Sequence, residues 1–394
     1  MQRNGRMKHL LITTVLSLAL LATACDGGGG KTAPPVVPPG TYTYSIPAQT
    51  NDGWATGHLD DYGFNSTLIK EMTDGINSGR FPGIDSVTIV RNNTLLLHAA
   101  YRKSLGQFDG WVGNTDPERH VMHSTSKSFT SVLVGIAIDQ GYITSVEVPF
   151  YDLFSYANYA NPDTRKATMT LADALTMRLG LEWDEWSVPY GSPGNDLEEL
   201  TRNNTDFAKA LLDLPMSSDP GTLFTYNTAA TIAIGQALEN AVGVPMAVFA
   251  DQYLFQPLQI QTAVWGRTPS NLPNGGSGLF LEPRDMVKLG QLFIDGGRWN
   301  GQQVVSSAWV NASVEPHASL NFTLSNAYGY QWWLGGLTYK GQPIETWSTR
   351  GYGGQDIFCI PTLNLVVAFT AHNYESRETL PFTLMQDYVL ASID

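Results

Sequence analysis

A serine and a lysine three residues apart lie in His123-Ser124-Thr125-Ser126-Lys127-Ser128-Phe129-Thr130, ahead of an apolar run through Leu133, Ile136 and Ala137. At helical spacing both side chains share one face of a first turn. A serine hydroxyl is a weak nucleophile until a neighbouring base takes its proton. A lysine serves as that base only where burial or a nearby cation depresses its pKa. A helix N-terminus adds to this by favouring negative charge that develops near the serine oxygen. Most matches to S-x-x-K are solvated pairs on surface helices. This one is the only S-x-x-K in the chain, and two downstream segments supply what such a site requires.

Those segments are Pro220-Gly221-Thr222-Leu223-Phe224-Thr225-Tyr226-Asn227-Thr228 and Gly351-Tyr352-Gly353-Gly354-Gln355. In this order the three stretches resemble the motifs of the serine β-lactamase and penicillin-binding family. They are most similar to its class C-like branch of esterases, D-amino-acid peptidases and 6-aminohexanoate-oligomer hydrolases. The resemblance runs from about Asp60 onward. It takes in Met177-Arg178-Leu179-Gly180-Leu181-Glu182-Trp183, Gly278-Leu279 with Pro283-Arg284-Asp285-Met286, and Tyr328-Gly329-Tyr330-Gln331-Trp332-Trp333 as structural signatures.

The resemblance implies Ser124 as nucleophile, Lys127 as base or proton relay, and Tyr226 as the partner that abstracts or returns protons. It implies an oxyanion hole from the backbone N–H groups of Ser124 and Gln355. The glycines at 353 and 354 would let substrate lie against a strand edging the cleft. An acyl-enzyme cycle of this kind implies no metal and no organic cofactor.

The chain departs from the family pattern twice. Thr228 stands where the second motif usually ends in asparagine, and its hydroxyl cannot replace an amide that both donates and accepts. Tyr352-Gly353-Gly354 stands where penicillin-recognising members carry Lys-Thr-Gly, so the cation that binds a β-lactam carboxylate is missing. That points to an ester or amide substrate rather than a β-lactam. Arg350 is near enough in sequence to supply a charge, or is a surface residue. Thr228, Tyr352, Gly353 and Gly354 are the expected substrate-facing positions, with Trp183 and Trp186, in a Gly- and Pro-rich loop, as pocket walls.

The elements that must position these residues follow from periodicity. Leu68, Ile69, Met72 and Ile76 follow Asn65-Ser66 at helical spacing. Val87 to Val90 and Leu95 to Tyr101 flank Asn92-Asn93 as a hairpin. From Pro149 to about Asn311 the pattern is mostly helical. Apolar stripes run through Leu171, Ala174, Leu175 and Leu179 and through Phe207, Leu211 and Leu214. Helical runs follow from Ala229 to Val242 and from Pro283 to Phe293. Tyr328 to Leu334, Ile344 to Ser348, Gln355 to Ile360 and Leu365 to Thr370 read as strands. Phe382, Met385, Val389 and Ile393 then close the chain as an amphipathic helix.

The expected fold class is therefore α+β: an antiparallel β-sheet flanked by terminal helices with an inserted, mostly helical lobe, which the resemblance implies is β-lactamase/transpeptidase-like. The sheet lobe spans about 51–148 and 320–394, the helical lobe about 149–319, and the site lies where the lobes meet.

Ahead of this domain, residues 1–25 read as a secretory signal. Arg3, Arg6 and Lys8 precede an apolar run from Leu10 to Leu21 that is too short for a bilayer. Ala22-Thr23-Ala24-Cys25 resembles a lipobox, which implies a lipidated Cys25 and a tether to a membrane of the bacterial cell envelope, facing the periplasm or exterior. Residues 26–50 read as a flexible Gly/Pro spacer. Charged residues make up 15% of the chain and the net charge is -13, a balance that argues against nucleic acid and against anionic lipid surfaces as partners. Cys25 and Cys359 are the only cysteines, so lipidation of Cys25 leaves no disulfide, and Cys359 reads as a buried, inert thiol.

Other chemistries fit less well. There is no G-x-S-x-G elbow. His120 and His123 lack an accompanying H-E-x-x-H or cysteine cluster, so packing suits them better than zinc. The expectation is an exported serine hydrolase acting on a small ester, amide or peptide. An amidase or D-peptidase acting on linear amides or peptidoglycan fragments is the near alternative. A non-catalytic envelope binding protein is the alternative of another class.

Overall fold

The computed structural model describes residues 43–203, 206–374 and 379–394, and these form one compact unit. The signal segment, Cys25 and most of the spacer lie outside the described residues. The end of the spacer does not: Tyr44 donates its hydroxyl to Leu96 O and accepts from Leu59 N, both at 3.0 Å. Arg284 binds Ala48 O and Thr50 Oγ1. Residues 44–50 are therefore held on the domain rather than forming part of a free spacer, because Tyr44, the Ala48 carbonyl and the Thr50 hydroxyl find partners there.

A nine-stranded sheet forms the centre. Its strands are β1 (Ala55–Thr56), β2 (Ile84–Arg91), β3 (Thr94–Ala100), β4 (Ala318–Phe322), β5 (Ser325–Tyr328), β6 (Trp333–Leu334), β7 (Trp347–Gly351), β8 (Gln355–Ile360) and β9 (Leu365–Ala371). The order is β1-β3-β2-β9-β8-β7-β6-β5-β4, and only the β1–β3 pair is parallel. The β2–β3 hairpin turns at Asn92 and Asn93, both left-handed at φ 50° and 59°, which asparagine tolerates better than most residues.

Period-two alternation sorts the core. On β8 and β9, Phe358, Ile360, Leu365, Val367 and Phe369 face one apolar cluster together with Ile69, Met72, Phe382 and Val389. Ile357, Cys359, Val366 and Ala368 face the other, which holds the remaining helices. The first cluster contains α1 (Ser66–Asn77), capped by the Asn65 side chain on Thr67 N, and the C-terminal segment. The second contains α2 (Ser126–Asp139), α3 (Thr228–Val242) and α4 (Pro283–Ile294). Gly290 lets α4 lie flat on the sheet: a Cβ there would stand 2.5 Å from Val366. So α4, although inside the 149–319 stretch, packs on the sheet. The fold class is the expected one.

Three local expectations change. Tyr328 to Leu334 is not one strand but the close of β5 and all of β6. Between them Gly329 presses on Ser313 O, Gln331 is left-handed at φ 66°, and the Gln331 side chain bonds Leu175 O. The strand expected from Ile344 begins at Trp347 instead. The closing helix is one α-turn, Leu380–Leu384, continued by a wider turn over Met385–Val389 and a tight one over Leu390–Ser392. Its predicted apolar face is buried.

Candidate active site

Ser124 sits in a single tight turn, His123–Thr125, and Lys127 is the second residue of α2. The hydroxyl-rich run around them is a set of anchors. Thr125 Oγ1 donates to Gln355 O at 2.6 Å and meets Thr349 Oγ1 at 3.0 Å, which ties the turn to β7 and β8. Ser126 Oγ accepts from Leu279 N, Ser128 Oγ donates to Gln331 O, and Thr130 Oγ1 donates to Gly275 O. With no charged residue other than Lys127 over its buried span, α2 runs through the middle of the molecule.

Lys127 is buried. Its Nζ reaches Ser124 Oγ at 2.9 Å, Thr228 Oγ1 at 3.0 Å and Gly276 O at 2.8 Å, and lies 5.0 Å from the centroid of the Tyr226 ring. Burial pulls its pKa from 10.5 down to about 7, against the Glu185 carboxylate, which favours the ammonium. The neutral amine that a base must be is thus available near neutral pH.

Tyr226 closes this cluster from the segment ahead of α3. Its ring stacks between Trp186, at 4.9 Å, and Trp333, at 5.8 Å. Asn227 is the N-cap of α3, its side chain accepting from Ala230 N. Thr228, the first residue of the helix, carries the polar contact to Lys127.

Ser124 opens into a pocket of about 390 Å³. His123, Tyr190, Glu198, Thr228, Asn274 and Tyr352 supply polar walls, and Phe108, Trp111, Leu197 and Ile232 apolar ones. Tyr352 and Thr228 are where the sequence places them. His123 is buried against Phe108, Tyr352 and Tyr374, left-handed at φ 44°, and its pKa is pushed down to about 3 by burial and by Lys127. It is a neutral wall, in keeping with a packing role.

Trp183, Trp186, Gly353 and Gly354 lie outside the pocket lining. Trp183 is buried and donates Nε1–H to Glu185 Oε2, so it backs the site rather than lining it. Trp186 is half exposed and flanks Tyr226 outside the pocket lining. Gly353 and Gly354, at φ 85° and 97°, form the β7–β8 turn, and a Cβ on Gly353 would stand 2.4 Å from Tyr374. The left-handed turn and, at Gly353, the Tyr374 ring require glycine here, and neither residue is in the pocket lining. The Gln355 side chain is buried, its amide bonded to Ala371 O, while its backbone carbonyl takes the Thr125 hydroxyl beside the nucleophile turn. Gly351 packs against the backbone ahead of the nucleophile: a Cβ there would lie 2.2 Å from Met122 O.

Arg350 is neither a substrate cation nor a surface residue. It is sandwiched between the rings of Trp333 (4.9 Å) and Phe382 (4.5 Å), bonded to Leu324 O, with its pKa lowered to about 10, chiefly by burial. Cys359 is buried with its thiol pKa pushed up by burial, as expected.

Two contributors escape sequence reasoning. Gly276 carries the carbonyl that Lys127 binds, and a Cβ on it would lie 2.8 Å from Thr228 O. The cluster Gly275-Gly276-Ser277-Gly278 is the signal. Glu185 is a buried carboxylate behind Thr228. Its signal is the acidic pair Asp184-Glu185 between Trp183 and Trp186.

Residues 66–387 match the model of the Beta-lactamase family. The chain belongs to that family, a family of serine hydrolases. A 6-aminohexanoate-dimer hydrolase of Paenarthrobacter ureafaciens is 25% identical over 278 residues, 65% of this chain and 67% of that protein. Among solved structures, a putative 6-aminohexanoate-dimer hydrolase from Bacillus anthracis superposes with a TM-score of 0.63 at 18% identity, covering 85% of each chain. EstCE1, a hydrolase with promiscuous acyltransferase activity, gives 0.63 at 15% identity, covering 82% of this chain and 98% of that one. At such identities these structures establish likeness of fold.

Proposed function

We propose that this β-lactamase-family hydrolase cleaves short linear esters or amides through an acyl-enzyme on Ser124. The observation that carries the reading is the buried Lys127 amine 2.9 Å from Ser124 Oγ at the floor of a pocket. Lys127 takes the serine proton as Oγ bonds the substrate carbonyl carbon. The carbonyl oxygen becomes an oxyanion, met by the backbone N–H groups of Ser124 and Gln355, whose backbone lies beside the nucleophile turn through the Thr125 Oγ1 contact to Gln355 O. The proton passes through the Lys127–Tyr226 pair to the leaving oxygen or nitrogen, and water activated by the same pair releases the acid. The mixed walls suit a substrate with an apolar chain, and the Glu198 carboxylate in the lining favours neutral or cationic groups over anionic ones.

The name of the 25%-identical relative favours an amide substrate as the second form of the same reading. Export and lipidation at Cys25 are part of the proposal, resting on the N-terminal pattern. Labelling with an alkynyl palmitate in a bacterial host, lost in Cys25→Ser, tests them.

The function is tested with p-nitrophenyl butyrate, the linear 6-aminohexanoate dimer and a chromogenic cephalosporin, each with wild type and Ser124→Ala. Turnover of the ester or dimer that vanishes in the variant is expected, with the cephalosporin silent. A wild type inert to all three, and unreactive toward serine-directed reagents, would move the protein to the binding-protein reading.

A further inference from the structure

Glu185 has no part in the scheme above, yet its surroundings are built around it. Its side chain is buried and accepts four hydrogen bonds. Oε2 takes Trp183 Nε1–H at 3.0 Å and Thr228 N–H at 2.7 Å, while Oε1 takes the Tyr190 hydroxyl at 2.8 Å and the Thr228 hydroxyl at 2.6 Å. Burial and Glu185 push the Tyr190 pKa up, which keeps that hydroxyl a donor.

The count of protons around Lys127 has a consequence. A threonine hydroxyl has one proton to give, and that of Thr228 goes to Glu185. Toward Lys127, Thr228 Oγ1 can then only accept, and the Gly276 carbonyl can only accept. As an ammonium, Lys127 has three protons for Thr228, Gly276 and Ser124. As a neutral amine it has two, both required by Thr228 and Gly276. What remains is its lone pair, and Ser124 Oγ stands 2.9 Å from Nζ.

We propose that Glu185 is a positioning residue that, by fixing the Thr228 hydroxyl as an acceptor, aims the lone pair of neutral Lys127 at Ser124. It thereby supplies, with Thr228, the organising role of the amide absent from the second motif. The inference rests on Ser124 and Lys127 being the nucleophile and base. A glutamine at 185 would break the arrangement even though it fits. Its NH2 would face either Thr228 N–H and Trp183 Nε1–H, donor against donor, or the Thr228 hydroxyl, which would then turn its proton toward Lys127 and capture the lone pair. The charged and titratable groups around Lys127 are Glu185, Tyr226 and His123, with Arg350 and Tyr328 beyond Tyr226.

The test needs no knowledge of the substrate. A fluorophosphonate phosphonylates an activated serine: Oγ bonds phosphorus, fluoride leaves, and the serine proton passes to the base. The rate is followed by intact mass against pH for wild type, Ser124→Ala, Glu185→Gln, Thr228→Val and Thr228→Ser, with melting curves for each. Loss of lone-pair alignment should slow Glu185→Gln and Thr228→Val by about 10²-fold, within the range of general-base effects. Thr228→Ser should recover most of the loss seen in Thr228→Val.

Removal of a negative charge that favours the ammonium should also shift the acid limb of Glu185→Gln to lower pH, which a purely structural role would not do. Wild-type rate and pH midpoint in Glu185→Gln, or a Thr228→Ser as slow as Thr228→Val, would overturn the inference. If Glu185→Gln does not fold, the valine and serine pair decides. Absence of Ser124 labelling in wild type would instead overturn the nucleophile itself, and this inference with it.

Discussion

Ser124 Oγ and Lys127 Nζ are 2.9 Å apart, though one residue lies in a tight turn and the other in the α-helix that continues it. The tighter pitch of the turn brings the i and i+3 side chains nearly over one another. With the lysine pKa near 7, kcat/KM for p-nitrophenyl butyrate should rise as pH increases through about 7, because the reactive form is the neutral amine. A profile without an acid limb between pH 5.5 and 8.5 would remove Lys127 from the role of base.

The same depressed pKa affects stability with a defined sign. The unfolded chain holds the Lys127 proton up to about pH 10.5, whereas the folded chain releases it near 7. Between those values the unfolded state binds more protons, so this residue's contribution to stability rises with pH. Lys127→Met lacks that dependence. Its melting temperature relative to wild type should fall steadily from pH 7 to pH 10, and a constant difference would show that the lysine is not held neutral.

Gly353 should tolerate no side chain. Gly353→Ala places a Cβ 2.4 Å from the Tyr374 ring at φ 85°, a combination expected to cost about 1–3 kcal/mol. Tyr374, Tyr352 and His123 share ring contacts, so hydrolysis should fall together with the urea midpoint. Unchanged stability would mean that the turn relaxes freely.

Arg350 is a structural cation. Arg350→Ala removes the guanidinium between Trp333 and Phe382, leaves Leu324 O without its donor and strips Asp356 of its opposing charge. A loss of about 3–5 kcal/mol is expected for breaking a buried charged arrangement, read as a lower guanidinium midpoint. Loss of activity at full stability would instead assign Arg350 to substrate binding.

The parts of the fold that were legible in sequence are those governed by local periodicity. Asn65 ahead of α1, the Asn92-Asn93 turn, and the limits of β8 and α4 all follow from neighbours within a few positions. Ser124 and Lys127 meet, with the Tyr226 ring near the Lys127 amine, in the motif order, and Thr228, at the departure from the second motif, also bonds Lys127. What was not legible depends on long-range approach. Tyr328 to Leu334 has strand residues throughout, and its reversal is imposed by Ser313 O and Leu175 O, far away in the chain. The glycines at 353 and 354 could be noticed, but the ring that requires one of them is at Tyr374. Glu185 looks like an ordinary loop acid until the fold places four donors around it.

The hydrogen bond from Thr125 to Gln355 spans 230 residues, and β2 finds its neighbour β9 only at the end of the chain. As the chain emerges during synthesis, the serine is made early and its clamp late. No N-terminal fragment can assemble the reactive geometry, and closing so long a loop makes the last steps slow relative to helix formation. The nucleophile proposed at Ser124 therefore stays unreactive until nearly the whole polypeptide is present.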